Sequence, residues 1–290
     1  MTVFKPKRIL CAVDLSPVTE GILQWAGLFA RTFGAQVDVL YVDWWEPPRY
    51  FTEAQIQELA RQNQEGKKAL RAELEAAAKR TLDGVAAHSV SIAEGHPAQR
   101  ILERAREWTS DLIVMGSHGR TGMARLRLGS VAEDVVRASV SPVLIVKAAE
   151  GLEGRPSIEN ILCPVNFSGL SLQCLDLSSE IANEFGARLW VAHATDHEEV
   201  KLDEVHQHIC DWVPPEVRGR CDVSEVVRRG DASEQILLIA REHSADIIVI
   251  GAQHRPFLEF TTLGTTTERV MRHSHVSVLV VPLRKTESQG

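Results

Sequence analysis

Cysteine is scarce in this chain of 290 residues: there are five, an odd number with no dense framework. That excludes a disulfide-stapled secreted scaffold and fits a reducing compartment. Cys11 and Cys163 fall inside apolar runs and read as buried thiols. Long apolar runs are also missing. None approaches the ~20 residues of a membrane span. A basic stripe is missing too. Residues 1–150 carry 19 Lys and Arg against 18 Asp and Glu, and residues 151–290 carry 13 against 21. The net charge is −7 and the second half is the acidic one, so the chain lacks the electrostatic footprint of a nucleic-acid binder. The start, Met-Thr-Val-Phe-Lys-Pro-Lys-Arg, leads straight into apolar residues and offers no cleavable signal. A cytoplasmic protein is expected. Catalytic signatures are absent as well. No lysine follows a glycine loop in the Walker manner, no Gly-x-Gly-x-x-Gly occurs, and no serine sits on a strand elbow.

What is present is a repeat. Ile9-Leu-Cys-Ala-Val-Asp-Leu-Ser16 recurs as Ile161-Leu-Cys-Pro-Val-Asn-Phe-Ser168. Asp111-Leu-Ile-Val-Met-Gly116 recurs as Asp246-Ile-Ile-Val-Ile-Gly251, and Val143-Leu-Ile-Val146 as Val278-Leu-Val-Val281. The offset falls from 152 to 135 residues, so the second copy has lost 17 residues in its middle. Two copies of one domain follow. The expected bounds are 1–148 and 157–290, joined by a polar link containing Gly154 and Pro156.

Each copy alternates short apolar strands with amphipathic helices, which predicts an α/β fold: a five-stranded, parallel, doubly wound open sheet with helices on both faces. In the first copy the strands fall at 8–13, 37–42, 86–92, 112–115 and 143–146. The helices fall at 19–33, 52–81, 97–108 and 130–138. In the second copy the strands fall at 159–165, 189–194, 222–227, 247–250 and 278–281. The helices fall at 170–185, 198–212, 232–243 and 265–272. Ligands of such sheets bind beyond the carboxyl ends of the strands, at the topological switch point. Asp14 and Gly116 both sit at such ends.

The densest motif is Gly116-x2-Gly119-x9-Gly129-Ser130, between an apolar strand and a helix start. Glycines let the backbone approach an anion, and the free N–H groups and dipole of a helix N-terminus favour negative charge. Ser130 can cap that helix or donate to a phosphate oxygen. Asp14 can accept from a ribose hydroxyl or brace its own turn.

Residue for residue, this spacing resembles the nucleotide-binding signature of the universal stress protein family, and the chain resembles a tandem member over nearly its whole length. The resemblance implies a fold of the adenine nucleotide alpha hydrolase type and ATP, with or without Mg2+, as the cofactor. It implies that Asp14 contacts the ribose or the adenine edge and that the Val42 backbone reads the adenine edge. Met115, Gly116 and Gly119 would let the chain pass over the nucleotide, and Gly129, Ser130 and the Val131 amide would hold the phosphates. Family domains commonly pair through the fifth strand. Here Val143–Val146 and Val278–Val281 would pair within the chain as an internal dimer, which would also cover two sheet edges. A homodimer of whole chains is a further expectation.

The second copy departs from this pattern. Asn166 replaces Asp14, Ala194 stands at Val42, His254 replaces Gly119, and Gly251 and Gly264-Thr265 remain. Asn loses the charge and one acceptor oxygen, and a side chain at 254 obstructs a backbone approach. The second site is expected to be degraded, kept for pairing or for another ligand. Eight of the eleven histidines lie in this half, but none has a metal-ligand spacing on one helix, so hydrogen-bonded or solvated roles are expected. His118 reads as a loop brace. The loop that opens with Trp44-Trp45 is expected to pack on the long helix rather than close as a lid. Arg120, Arg125 and Arg127 read equally as phosphate contacts or a solvated face. The leading expectation is a regulatory ATP-binding stress-response protein. The alternatives are a slow ATP or dinucleotide hydrolase, which would release phosphate over many turnovers, and a scaffold that ATP does not stabilise.

Overall fold

The computed structural model describes residues 4–44, 53–85, 87–117, 128–147, 156–252 and 263–283. The first half runs β1 (Arg8–Val13), α1 (Thr19–Phe33), β2 (Gln36–Asp43), α2 (Glu53–Thr81), β3 (Ala87–Glu94), α3 (Pro97–Glu107), β4 (Leu112–Gly116), α4 (Ser130–Ala138) and β5 (Val143–Val146). The second runs β6 (Asn160–Pro164), α5 (Gly169–Phe185), β7 (Arg188–Thr195), α6 (Leu202–Trp212), α7 (Pro215–Arg218), β8 (Val223–Arg229), α8 (Ala232–Glu242), β9 (Ile247–Ala252), α9 (Thr265–His273) and β10 (Ser277–Pro282). Strand order is β3-β2-β1-β4-β5-β10-β9-β6-β7-β8 in one ten-stranded sheet.

Each half is parallel throughout, in the order 3-2-1-4-5. The central strands are apolar on both faces because helices cover both: β1 is buried from Ile9 to Val13 and β4 from Leu112 to Met115. The two halves meet at β5 and β10, which run antiparallel with Leu144 opposite Leu279. One core cluster lies under α1 and α5, where Phe29 and Phe33 stack edge-on to Phe185 with ring centroids 5.8 and 6.2 Å away. The other lies under α3, α4, α8 and α9.

The helix ends follow the sequence cues. Gly34 and Gly186 take the left-handed conformation that closes α1 and α5. Two readings are corrected. The helix expected from 198 begins at Leu202, because the polar residues 196–201 carry no apolar periodicity, and the four-residue α7 follows it. Ser130 does not cap α4. Gly129 is the N-cap residue, no side chain among the described residues caps the helix, and Ser130 is its first residue.

Candidate functional site

The strand order reverses between β1 and β4, and the carboxyl ends of those strands open a crevice. Asp14 follows β1 directly. Its Oδ1 accepts the Ser16 N–H at 3.1 Å, closing an Asx turn. The residue between them, Leu15, is held at φ 58°, a conformation that costs a bulky side chain of order 1 kcal/mol and is seen where a site over-determines the backbone. Phe167, its counterpart in the second half, has φ 60°, so both copies keep the same turn.

The two turns differ in their side chains. In the first half the Asp14 Oδ2, the Ser16 hydroxyl and the Thr19 hydroxyl are all buried without a hydrogen-bond partner among the described residues. An unmet buried polar group costs about 1–3 kcal/mol, so three together at one strand end are a strong call for a polar ligand. In the second half the matching residues satisfy one another. Ser171 Oγ donates to Asn166 Oδ1 at 2.6 Å and accepts the Asn166 N–H at 3.0 Å. The Ser168 N–H reaches Asn166 Oδ1 at 3.3 Å, and Ser168 Oγ caps α5 by accepting the Ser171 N–H at 3.2 Å. The replacement of Asp by Asn was legible in the sequence. The partnership with Thr19 and Ser171 was missed, although the 152-residue offset aligns them.

Val42 is the penultimate residue of β2. It pairs with Ala93 of β3, while β1 ends one residue short of it, opposite Tyr41. β2 is pinned by Asp38, a fully buried carboxylate that accepts from Ser89 Oγ, Ser91 Oγ and Arg104 Nε, each at 2.7 Å. That cluster ties β2, β3 and α3 together below the crevice. At its mouth Trp44 is 59% exposed, with its ring set edge-on to His96, the N-cap residue of α3, at 5.4 Å.

Met115 is buried and Gly116 half-buried at the end of β4. The Gly129 N–H donates to the Ser117 carbonyl at 2.8 Å, so the chain leaves the sheet and returns to it at one point. Gly119, His118, Arg120, Arg125 and Arg127 lie outside the described residues, as do Trp45 and His254. The first-turn N–H groups of α4, including that of Val131, are offered past Gly129 without a side-chain cap. Asp14, Val42, Met115, Gly116, Gly129, Ser130 and Val131 thus all fall at the same edge of the sheet.

In the second half Gly264 is likewise the uncapped N-cap residue of α9, Thr265 is the first residue of that helix, and Ala194 lies near the end of β7. Thr267 Oγ1 donates to the Gly251 carbonyl at 2.8 Å. Gly251 has a packing reason of its own. A Cβ there would lie 2.6 Å from both Cγ and Cδ2 of Leu170. His193 Nδ1 hydrogen-bonds the Val165 carbonyl at 2.8 Å, and its ring packs against Phe167 at 4.6 Å. Among the described residues no three His, Cys, Asp or Glu side chains stand together as a metal site, and no helix is long and apolar enough to cross a membrane.

Comparison with known proteins agrees with this geometry. A family model described as the universal stress protein family matches residues 5–147 and 214–282. A universal stress protein of Methanocaldococcus jannaschii is 37% identical over 145 residues, which are 49% of this chain and 82% of that one. One from Thermus aquaticus is 34% identical over 142 residues, 49% of this chain and 98% of its own. A crystal structure of a universal stress protein from Archaeoglobus fulgidus superposes with a TM-score of 0.69 at 23% identity, covering 95% of this chain and 96% of that one, which shows a shared fold.

Proposed function

The chain belongs to the universal stress protein family, and from that premise we propose that it is a cytoplasmic, ATP-binding regulatory protein of the stress response with one competent site. Residues 1–148 form the nucleotide domain and residues 157–290 a partner domain with a degraded site. Asp14 takes the ribose, the Val42 backbone reads the adenine edge, and Met115, Gly116 and Gly119 let the chain lie close to the nucleotide. Gly129, Ser130 and Val131 hold the phosphates, with Mg2+ accompanying them. The observation that carries this reading is the trio of oxygens on Asp14, Ser16 and Thr19 that have no partner among the described residues, set against its closed counterpart at Asn166, Ser168 and Ser171. A ribose offers both donors and acceptors to such a trio, and the uncapped start of α4 suits phosphate.

The mechanism is a shift of equilibrium rather than a reaction. Bound ATP favours the conformation of the chain that binds it better, and a partner that reads that conformation gains affinity by the difference. Joined through Val143–Val146 and Val278–Val281, the two halves act as an internal dimer.

The test is the rise in melting temperature on adding millimolar ATP with Mg2+. The wild-type chain should rise by several degrees. Asp14→Asn and Ser130→Ala should each lose most of that rise, and Asn166→Ala should keep it. An equal loss in Asn166→Ala, or no rise in the wild type, would overturn the reading.

A further inference from the structure

Helix α8 carries a stripe of exposed side chains on its outer face. Glu234, Leu238 and Arg241 follow one another at i, i+4 and i+7, so they share one side of the helix, and all three are exposed. Leu238 is 45% exposed, and the half-buried Leu237 lies beside it. The neighbouring acids of this helix are paired, Asp231 with Arg269 and Glu242 with Arg228. Glu234 and Arg241 have no ion-pair partner among the described residues. A groove of about 500 Å3 runs along the stripe, with Arg272 and His273 of α9 on its far wall.

The repeat shows what is particular to this face. The 135-residue offset equates it with Gln99, Leu102, Glu103 and Arg106 of α3. There Glu103 accepts from Gln99 Nε2 at 2.7 Å and from Arg100 Nη1 at 2.6 Å, so its carboxylate is satisfied within its own helix. The second half has a leucine in place of that carboxylate. Two copies of α8, run antiparallel about a twofold axis between positions 237 and 238, are self-complementary. Glu234 then faces Arg241 of the second copy, Leu237 faces Leu238 of the second copy, and the symmetry makes each contact twice. Helix α3 fails the same operation, because Leu102 would face the carboxylate of Glu103 and desolvate it.

We propose that the outer face of α8 is a docking surface for a second copy of this chain, closed as an antiparallel pair of α8 helices. The apolar centre is Leu237 and Leu238, and the flanking charges fix the antiparallel direction. This pairing goes beyond the contact of β5 with β10, which is internal to one chain, and it uses neither edge strand of the sheet, β3 or β8. It is also independent of the nucleotide reading. One face of an 11-residue helix, about 16 Å long, buries less than the roughly 1,200 Å2 of a standard interface, so the dimer is weak and forms with rising protein concentration.

Sedimentation equilibrium of the full-length chain, without nucleotide and over a concentration series from micromolar to millimolar, tests it. The wild type should pass from monomer to dimer. Leu238→Glu, which installs the first-half residue, should weaken the dimer at least tenfold. Glu234→Arg and Arg241→Glu each set like charges across the axis and should do the same. Combined in one chain, these two exchanges restore opposite charges and should bring the dissociation constant back to within about threefold of the wild type. The three positions are exposed, so every variant should keep a cooperative melt, recorded alongside. Three results would overturn the proposal: a monomer at every concentration, a dimer that Leu238→Glu leaves unchanged, or a combined exchange no tighter than the single ones.

Discussion

At the scale of single residues, the two copies separate on a few atoms. Among the described residues one oxygen of Asp14 is buried and unpaired, and the Ser16 and Thr19 hydroxyls share that state. Without ligand this arrangement costs stability. Asp14→Asn should therefore melt at the same temperature as the parent or slightly higher, by about 1 kcal/mol at most, while its ATP affinity falls at least tenfold. Urea denaturation and calorimetry read the two effects separately. Gly251 gives the opposite kind of prediction. Its missing side chain makes room for Leu170, so Gly251→Ala should cost about 1–3 kcal/mol by overpacking, and adding Leu170→Ala should recover part of it. Only part of this was legible in the sequence. The exchange of Asp14 for Asn166 could be read directly. The left-handed turn at Leu15 and Phe167 could not, because nothing in a bulky apolar residue signals a positive φ. Nor could the packing of Leu170 on Gly251, which joins residues 81 positions apart.

At the scale of elements, most boundaries were legible because each strand is a short apolar run between polar turns. β1, α1, α4 and β5 fall where the periodicity puts them. What failed lacked periodicity: the polar approach to α6, and α7, which is a single turn. The element that carries Val42, the residue proposed to read the adenine edge, is β2, held by the Asp38 cluster. Asp38 is fully buried and Arg104 only partly so, with its side chain 32% exposed. Arg104→Met removes the cation and leaves a buried carboxylate with two serine donors. The expected loss is about 3 kcal/mol, the lower end for a broken buried pair because solvent reaches the arginine. A urea titration checks it, and a loss under about 1 kcal/mol would show that the serines alone hold the carboxylate.

At the scale of the whole molecule, the repeat predicted two domains, and one sheet of ten strands contains both. The contact between halves includes Lys147, which follows β5 and donates its Nζ to the Met271 carbonyl and, at 3.3 Å, to that of Arg272 at the end of α9. Burial pushes its pKa down to about 8 from 10.5. The folded state then binds fewer protons than the unfolded state between those values, so this group adds stability as pH rises from about 8 to 10.5. Lys147→Met should flatten that part of the stability–pH curve relative to the parent, and an unchanged slope would place its origin elsewhere. The central claim is that the tandem chain carries one nucleotide site rather than two. The most direct measurement is to heat-denature freshly purified protein and count, by chromatography, the nucleotide released per chain. The account predicts about one ATP per chain, lost in Asp14→Asn and kept in Asn166→Ala. Two per chain would contradict the asymmetry between the halves. None, with no uptake when ATP and Mg2+ are added, would contradict nucleotide binding itself.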